Sequence, residues 1–91
     1  MRESTIEKAV CAYAKSKGCL IIKLAGMNQR GQPDRLFIRD GKHLFLEFKS
    51  QGKKPTALQI KWLIDLTNQG MNAMWCDSIP DGKKLIDRIF I

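Results

Sequence analysis

The sequence predicts an α/β protein in which a mixed central sheet is flanked by helices, in the order α-β-β-β-α-β-α. Three observations predict it. Apolar residues recur at helical spacing in three stretches, around residues 6–13, 58–66 and 85–90. Short runs of β-forming residues lie between the first two stretches and again at 72–76. Asp40-Gly41, flanked by two such runs, is a strong signal for a tight hairpin turn. No repeat, low-complexity segment or linker divides the chain, so residues 1–91 are expected to form one domain.

Taken in order, Ser4-Thr5-Ile6-Glu7 opens the first helix, with Ser4 and Glu7 in a capping-box pattern. Ile6, Ala9, Val10 and Tyr13 form its inward face, and Gly18 ends it. Cys19 to Leu24 is almost continuously apolar, the pattern of a strand buried on both faces. The polar, glycine-bearing loop from Ala25 to Gln32 reads either as a plain connection or as a DNA contact through Asn28, Gln29 and Arg30. Arg35–Arg39 and His43–Lys49 are the hairpin strands. Thr56 begins a second helix and forms a capping box with Gln59. Leu58, Trp62, Leu63 and Leu66 supply that helix's apolar face, which favours Trp62 as a core residue over a base-stacking platform, and Gly70 stops it. Asn72–Cys76 is the fourth strand. Ile79–Gly82 reads as a turn or loose start, and Lys83–Phe90 as a short C-terminal helix.

The hairpin carries the candidate chemistry. Pro33-Asp34 precedes its first strand, and Glu47-Phe48-Lys49 ends its second. Alternation along a strand puts Leu44, Leu46 and Phe48 on one face and Phe45, Glu47 and Lys49 on the other. Folding back at Asp40-Gly41 returns Asp34 to the neighbourhood of Glu47. Two convergent carboxylates repel unless something positive lies between them, and Mg²⁺ or Mn²⁺ takes oxygen ligands. Such an ion activates water and holds a phosphodiester, with Lys49 placed to steer the water or to neutralise developing charge. Two other acid-x-Lys tripeptides, Asp40-Gly41-Lys42 and Asp81-Gly82-Lys83, sit in turn-like sequence and lack an upstream Pro-Asp. The bland alternative is a solvated strand face with a salt bridge. Glu7 has two readings as well, a capping-box acid or a third carboxylate reaching the metal site. Gln59 is a reciprocal cap, a site residue near Lys49, or both.

Composition narrows the partners. Sixteen Lys and Arg against nine Asp and Glu give a net charge of +7, which favours polyanions. Arg30, Arg35, Lys53 and Lys54 bracket the proposed site and suit phosphate contacts. No apolar run approaches a membrane-spanning length, and no signal-peptide pattern opens the chain. The three cysteines form no Cys-x-x-Cys pair and read as buried hydrophobes in a reducing cytoplasm. The only histidine, His43, lies near none of them in sequence, which argues against zinc and for a strand-edge residue.

The order of elements, with Pro33-Asp34 followed by Glu47-Phe48-Lys49, resembles the PD-(D/E)xK nuclease superfamily. With Glu7 in the first helix, Gly31-Gln32-Pro33-Asp34 and Gln59, it resembles more narrowly the virus-type replication-repair nuclease (VRR-NUC) domain. The resemblance covers almost the whole chain and implies a standalone domain. It implies that Asp34, Glu47 and the Phe48 carbonyl ligate Mg²⁺ or Mn²⁺, and that Glu7 is a helix acid serving the metal site. Lys49 would be the catalytic lysine, and Gln59 would support Lys49 or the attacking water. It further implies a cytoplasmic endonuclease, of bacterial or phage-infected cells, that cuts branched DNA such as four-way junctions or flaps as a homodimer. No small-molecule cofactor and no membrane are implied. The competing expectation is a binding module that keeps the fold but does not cleave. Against it, a pure binder has no use for two carboxylates facing a polyanion, since each repels phosphate by about 1 kcal/mol or more at contact distance even in water.

Overall fold

A computed structural model describes residues 1–24 and 30–91. Helix α1 (Glu3–Ser16) is followed by β1 (Leu20–Lys23), β2 (Arg35–Arg39), β3 (Lys42–Phe48), α2 (Ala57–Asn68), β4 (Ala73–Cys76) and α3 (Ile79–Phe90), the predicted order. The sheet runs β1-β2-β3-β4. Its first three strands are antiparallel, and β4 pairs parallel to β3. Helix α2 makes the return crossing that a parallel pair requires. At the hairpin, Asp40 and Gly41 have φ of 51° and 77° and Arg39 pairs with Lys42. Positive φ at both central residues is the twist-matched geometry that Asp-Gly favours.

The register divides the sheet into two unlike faces. Phe37 pairs with Leu44, Leu46 with Met74 and Phe48 with Cys76. This face packs beneath α1 and α3, where Phe37, Leu44, Leu46 and Phe48 join Ile6, Val10, Ala14, Ile86 and Phe90 in the core. A side chain at Gly82 would collide with Val10 and come within 3.3 Å of the Cys76 sulfur, so the bare glycine brings α3 down onto α1 and β4. The other face carries Leu36, Phe45, Glu47 and Trp75, and α2 lies against it mainly at β4. Glu47 is therefore at the end of the sheet that α2 covers.

Several elements depart from expectation. Helix α1 starts at Glu3, and Arg2, its N-cap, makes no side-chain cap bond. The Ser4–Glu7 capping box does not form, because the Glu7 carboxylate pairs with Arg35 on β2. Strand β1 is an edge strand rather than doubly buried, with Leu20 62% and Ile22 39% exposed. An apolar run alone does not distinguish a central strand from an edge strand whose face awaits a cover. The α2 capping box does form. Of the predicted α2 face, Leu63 is buried, while Leu58 is exposed. Trp62 is only half-buried and donates its indole N–H to the Arg30 carbonyl at 2.9 Å, tying Arg30 to α2 instead of filling the core. Helix α3 begins four residues early: the Ser78 hydroxyl accepts from the Asp81 amide at 3.2 Å, and Pro80 sits in the first turn, where it costs nothing.

All three cysteines are free. Burial pushes their thiols up, that of Cys76 to about 12, which suits inert packing groups. Among the described residues no helix is long and apolar enough to cross a membrane.

A candidate metal centre at the end of the hairpin

Asp34 is stitched between two strands before its side chain does anything. Its amide donates to the Leu46 carbonyl at 3.2 Å, and its carbonyl accepts from the Leu24 amide at 3.0 Å. The Asp34 carboxylate then accepts from the Phe48 amide at 2.8 Å. Phe48 thus serves two purposes, with its ring in the core and its N–H on Asp34.

Glu47, beside it, is 2% exposed. The Gln59 amide donates to Glu47 Oε2 at 2.9 Å, and Lys49 Nζ lies 3.8 Å from the same oxygen. Gln59 also accepts from the Thr56 amide at 2.8 Å, so one side chain both caps α2 and touches the site. The second oxygen, Glu47 Oε1, is buried with no hydrogen-bond partner among the described residues. An unpaired buried carboxylate oxygen is costly, and native structures seldom retain one without a ligand, ion, ordered water or catalytic reason.

A third acid completes the cluster. One carboxylate oxygen from each of Glu3, Asp34 and Glu47 lies within 4.8 Å of the other two. At an effective dielectric constant near 20, two full charges at that distance repel by about 3 kcal/mol. Burial first, then the Asp34 charge, pushes the Glu47 carboxyl up to about 8 against the pull of Lys49. Burial raises the Asp34 carboxyl as well, opposed by the Phe48 amide. A hard divalent cation fits this donor set: it takes oxygen ligands and relieves the repulsion.

The structure brings together Asp34, Glu47, Lys49 and Gln59 of the residues singled out by sequence. Glu7 is not one of the three converging acids: its Oε2 lies 2.6 Å from Arg35 Nε, and its charge still helps to raise the Asp34 carboxyl. Glu3 is the acid of the first helix with a carboxylate oxygen that converges with those of Asp34 and Glu47. The signal for it was available, since Glu3 lies one helical turn before Glu7 and so on the same flank. Two contacts between Met1 and Gln51 bring the start of α1 beside the loop after β3: the Gln51 amide donates to the Met1 carbonyl at 3.2 Å, and the Met1 ammonium lies 3.5 Å from Gln51 Oε1.

Of the residues read as DNA contacts, Arg35 is paired with Glu7. Arg30, Lys53 and Lys54 are exposed. Asn28 and Gln29 lie outside the described residues. Gly31 has a φ of 81° and packs so closely on α2 that a Cβ would sit 2.7 Å from Leu58 Cγ. With the Trp62 bond, this fixes the approach to Asp34 onto α2.

No family model matches the chain. A curated relative named "Putative nuclease p44", from Acyrthosiphon pisum secondary endosymbiont phage 1, is 37% identical over 62 residues, which is 67% of this chain and 67% of the relative. A solved structure described as a VRR_NUC domain is similar at a TM-score of 0.84 and 26% identity, covering 93% of this chain and 94% of that one.

Proposed function

The chain belongs to the VRR-NUC family of nucleases, and from that premise we propose that it is a Mg²⁺- or Mn²⁺-dependent DNA endonuclease with its metal held by Asp34, Glu47 and Glu3. The observation that carries this reading is the buried Glu47 carboxylate, one of its oxygens unpartnered, converging with two further carboxylates. The Phe48 carbonyl, between Glu47 and Lys49 in the motif, is the further oxygen ligand that the family resemblance implies.

When bound, the cation polarises the phosphodiester and lowers the pKa of water. The protein residues do the rest. Asp34, fixed by the Phe48 amide, and Glu47, fixed by Gln59, present rigid oxygens, so little reorganisation is needed on binding. Lys49, whose side chain is only 15% exposed, keeps its ammonium by Glu47 and offers a positive charge to the attacking water and to the phosphate oxygens in the transition state. Lys53 and Lys54, in the loop directly after the motif, and Arg30 supply exposed cations for the DNA backbone.

Branched DNA as substrate and a homodimer as the acting species extend the reading. Leu20 and Ile22 of edge strand β1, together with Leu58, Ile60 and Ile64 of α2, leave large apolar side chains exposed. A second copy covering them would add buried area that so small a domain lacks, and two sites related by a two-fold axis suit symmetric cutting at a junction. Light scattering at micromolar concentration, with and without junction DNA, tests the pairing, and a monomeric mass in both would refute it. Action in the cytoplasm on the DNA of a bacterial or phage-infected cell accords with the phage relative. The cleavage test is a panel of four-way junction, flap, single strand and linear duplex in Mg²⁺, Mn²⁺ or EDTA.

A further inference from the structure

We propose that the Glu7–Arg35 ion pair is a positioning device: it sets α1 along the sheet so that Glu3 meets Asp34 and Glu47, and it keeps Glu7 itself out of the metal site. The inference rests on the metal-site reading above and assigns these two residues roles different from those their sequence positions suggested.

Glu7 Oε2 and Arg35 Nε are 2.6 Å apart, with the two side chains about three-quarters buried. Each partner adjoins a member of the cluster. Arg35 follows Asp34 in the chain, and Glu7 stands one helical turn from Glu3. Among the described residues it is the only ion pair that joins α1 to the sheet. The N-cap of α1 makes no side-chain bond, so besides the Met1–Gln51 contacts and the buried Ile6 the ion pair is the polar tie between this end of the helix and the sheet. Glu3 itself is exposed, so packing does not fix where its carboxylate goes. The Arg35 side chain lies on the α1 side of the sheet, because it pairs across to Leu46, a core residue. Charge accounting agrees. A fourth free carboxylate would add repulsion to a cluster already crowded with three, and the guanidinium neutralises it. Residues that orient metal ligands without touching the ion commonly carry about ten- to a hundredfold of metal affinity.

A double-mutant cycle read by Mn²⁺ calorimetry tests this. Glu7→Gln and Arg35→Gln should each weaken Mn²⁺ binding about tenfold. The double variant should be no weaker than either single, because one tie is lost in all three. If Glu7 were instead a metal ligand, Glu7→Gln would weaken binding as Glu3→Gln does, while Arg35→Gln would free a carboxylate and leave binding equal or tighter. That opposite sign at Arg35 would overturn the proposal. Arg35→Lys, which keeps a charge, should recover part of the affinity.

A metal-free readout separates this proposal from the functional reading. Amide exchange in the first turns of α1 should quicken in Arg35→Gln, with α2 unchanged. If wild type bound no Mn²⁺, the functional reading would fall, and the exchange result would still judge whether the pair anchors α1. Unchanged exchange in α1 would overturn the proposal outright.

Discussion

The backbone amide of Phe48 donates a 2.8 Å hydrogen bond to the Asp34 carboxylate, so the acid before the hairpin is held by the peptide unit that joins Glu47 to Phe48. The two halves of the motif, separated by twelve residues of sequence, are one hydrogen-bonded unit.

This bond separates two substitutions at Asp34. Asp34→Asn keeps an oxygen for the Phe48 amide and loses the charge. Asp34→Ala loses both and leaves the amide short of a partner, at a cost of about 1–3 kcal/mol. Both variants should lose cleavage. In thermal melts of metal-free protein, only Asp34→Ala should be markedly destabilised, by roughly 4–8 °C for each kcal/mol in a domain of this size. Equal melting temperatures would show that the amide bond contributes little.

The Glu47 carboxyl predicts an unusual pH response. Its folded-state pKa of about 8 lies above the ordinary value of 4.5. Between these values the folded state binds more protons than the unfolded one, so the metal-free protein should lose stability as pH rises from about 4.5 through 8. Metal competes with the same proton. Mn²⁺ affinity should therefore rise with pH up to about 8, by up to roughly tenfold per unit, with about one proton released per ion at pH 6.5. Glu47→Gln should flatten the metal-free stability profile and abolish the metal-induced gain in melting temperature. A metal-free stability that rises over pH 5–8 would contradict the assignment.

Much of this was legible in sequence. Asp40-Gly41 fixed the hairpin, period-two alternation put Leu44, Leu46 and Phe48 on the core face, and the return of Asp34 to Glu47 followed from those two facts. Glu3 is not marked in the sequence, because the Ser4–Glu7 pattern points to the next turn, and a capping box is a local pattern that a tertiary partner such as Arg35 overrides. The start of α3 is hidden for a similar reason. Pro80-Asp81-Gly82 has the composition of a turn, but Gly82 is there for close helix packing. The exposed face of β1 was unreadable because apolar sequence does not say what covers it.

Gln59 joins helix start to site, and its two roles can be pulled apart. Gln59→Glu retains an acceptor for the Thr56 amide and so keeps the cap. It also replaces the donor facing Glu47 by a second carboxylate. Gln59→Ala loses both contacts, with the cap alone worth about 1 kcal/mol. Thermal melts should rank Gln59→Ala as the greater loss at pH 6, while cleavage should fall at least as far in Gln59→Glu. If Gln59→Glu cleaves like wild type, Gln59 is only a cap.

The loop after the motif should control DNA affinity rather than chemistry. Lys53→Ala with Lys54→Ala should weaken junction binding and lower the salt dependence, the slope of log K against log salt, by about 1–2. The single-turnover cleavage rate at saturating protein should change little. Fluorescence anisotropy across a salt series measures the first, and a neutral result would remove the two lysines from the DNA contact.

The central claim is that the carboxylate cluster holds the metal of a DNA endonuclease. Its most direct test is cleavage of a labelled four-way junction and a linear duplex in Mg²⁺, Mn²⁺ and EDTA, by wild type and Glu47→Gln at equal concentration. Metal-dependent cutting by wild type that EDTA and Glu47→Gln both abolish is the predicted result. Cutting that persists in EDTA or in Glu47→Gln, or junction binding with no cutting in either metal, would contradict it.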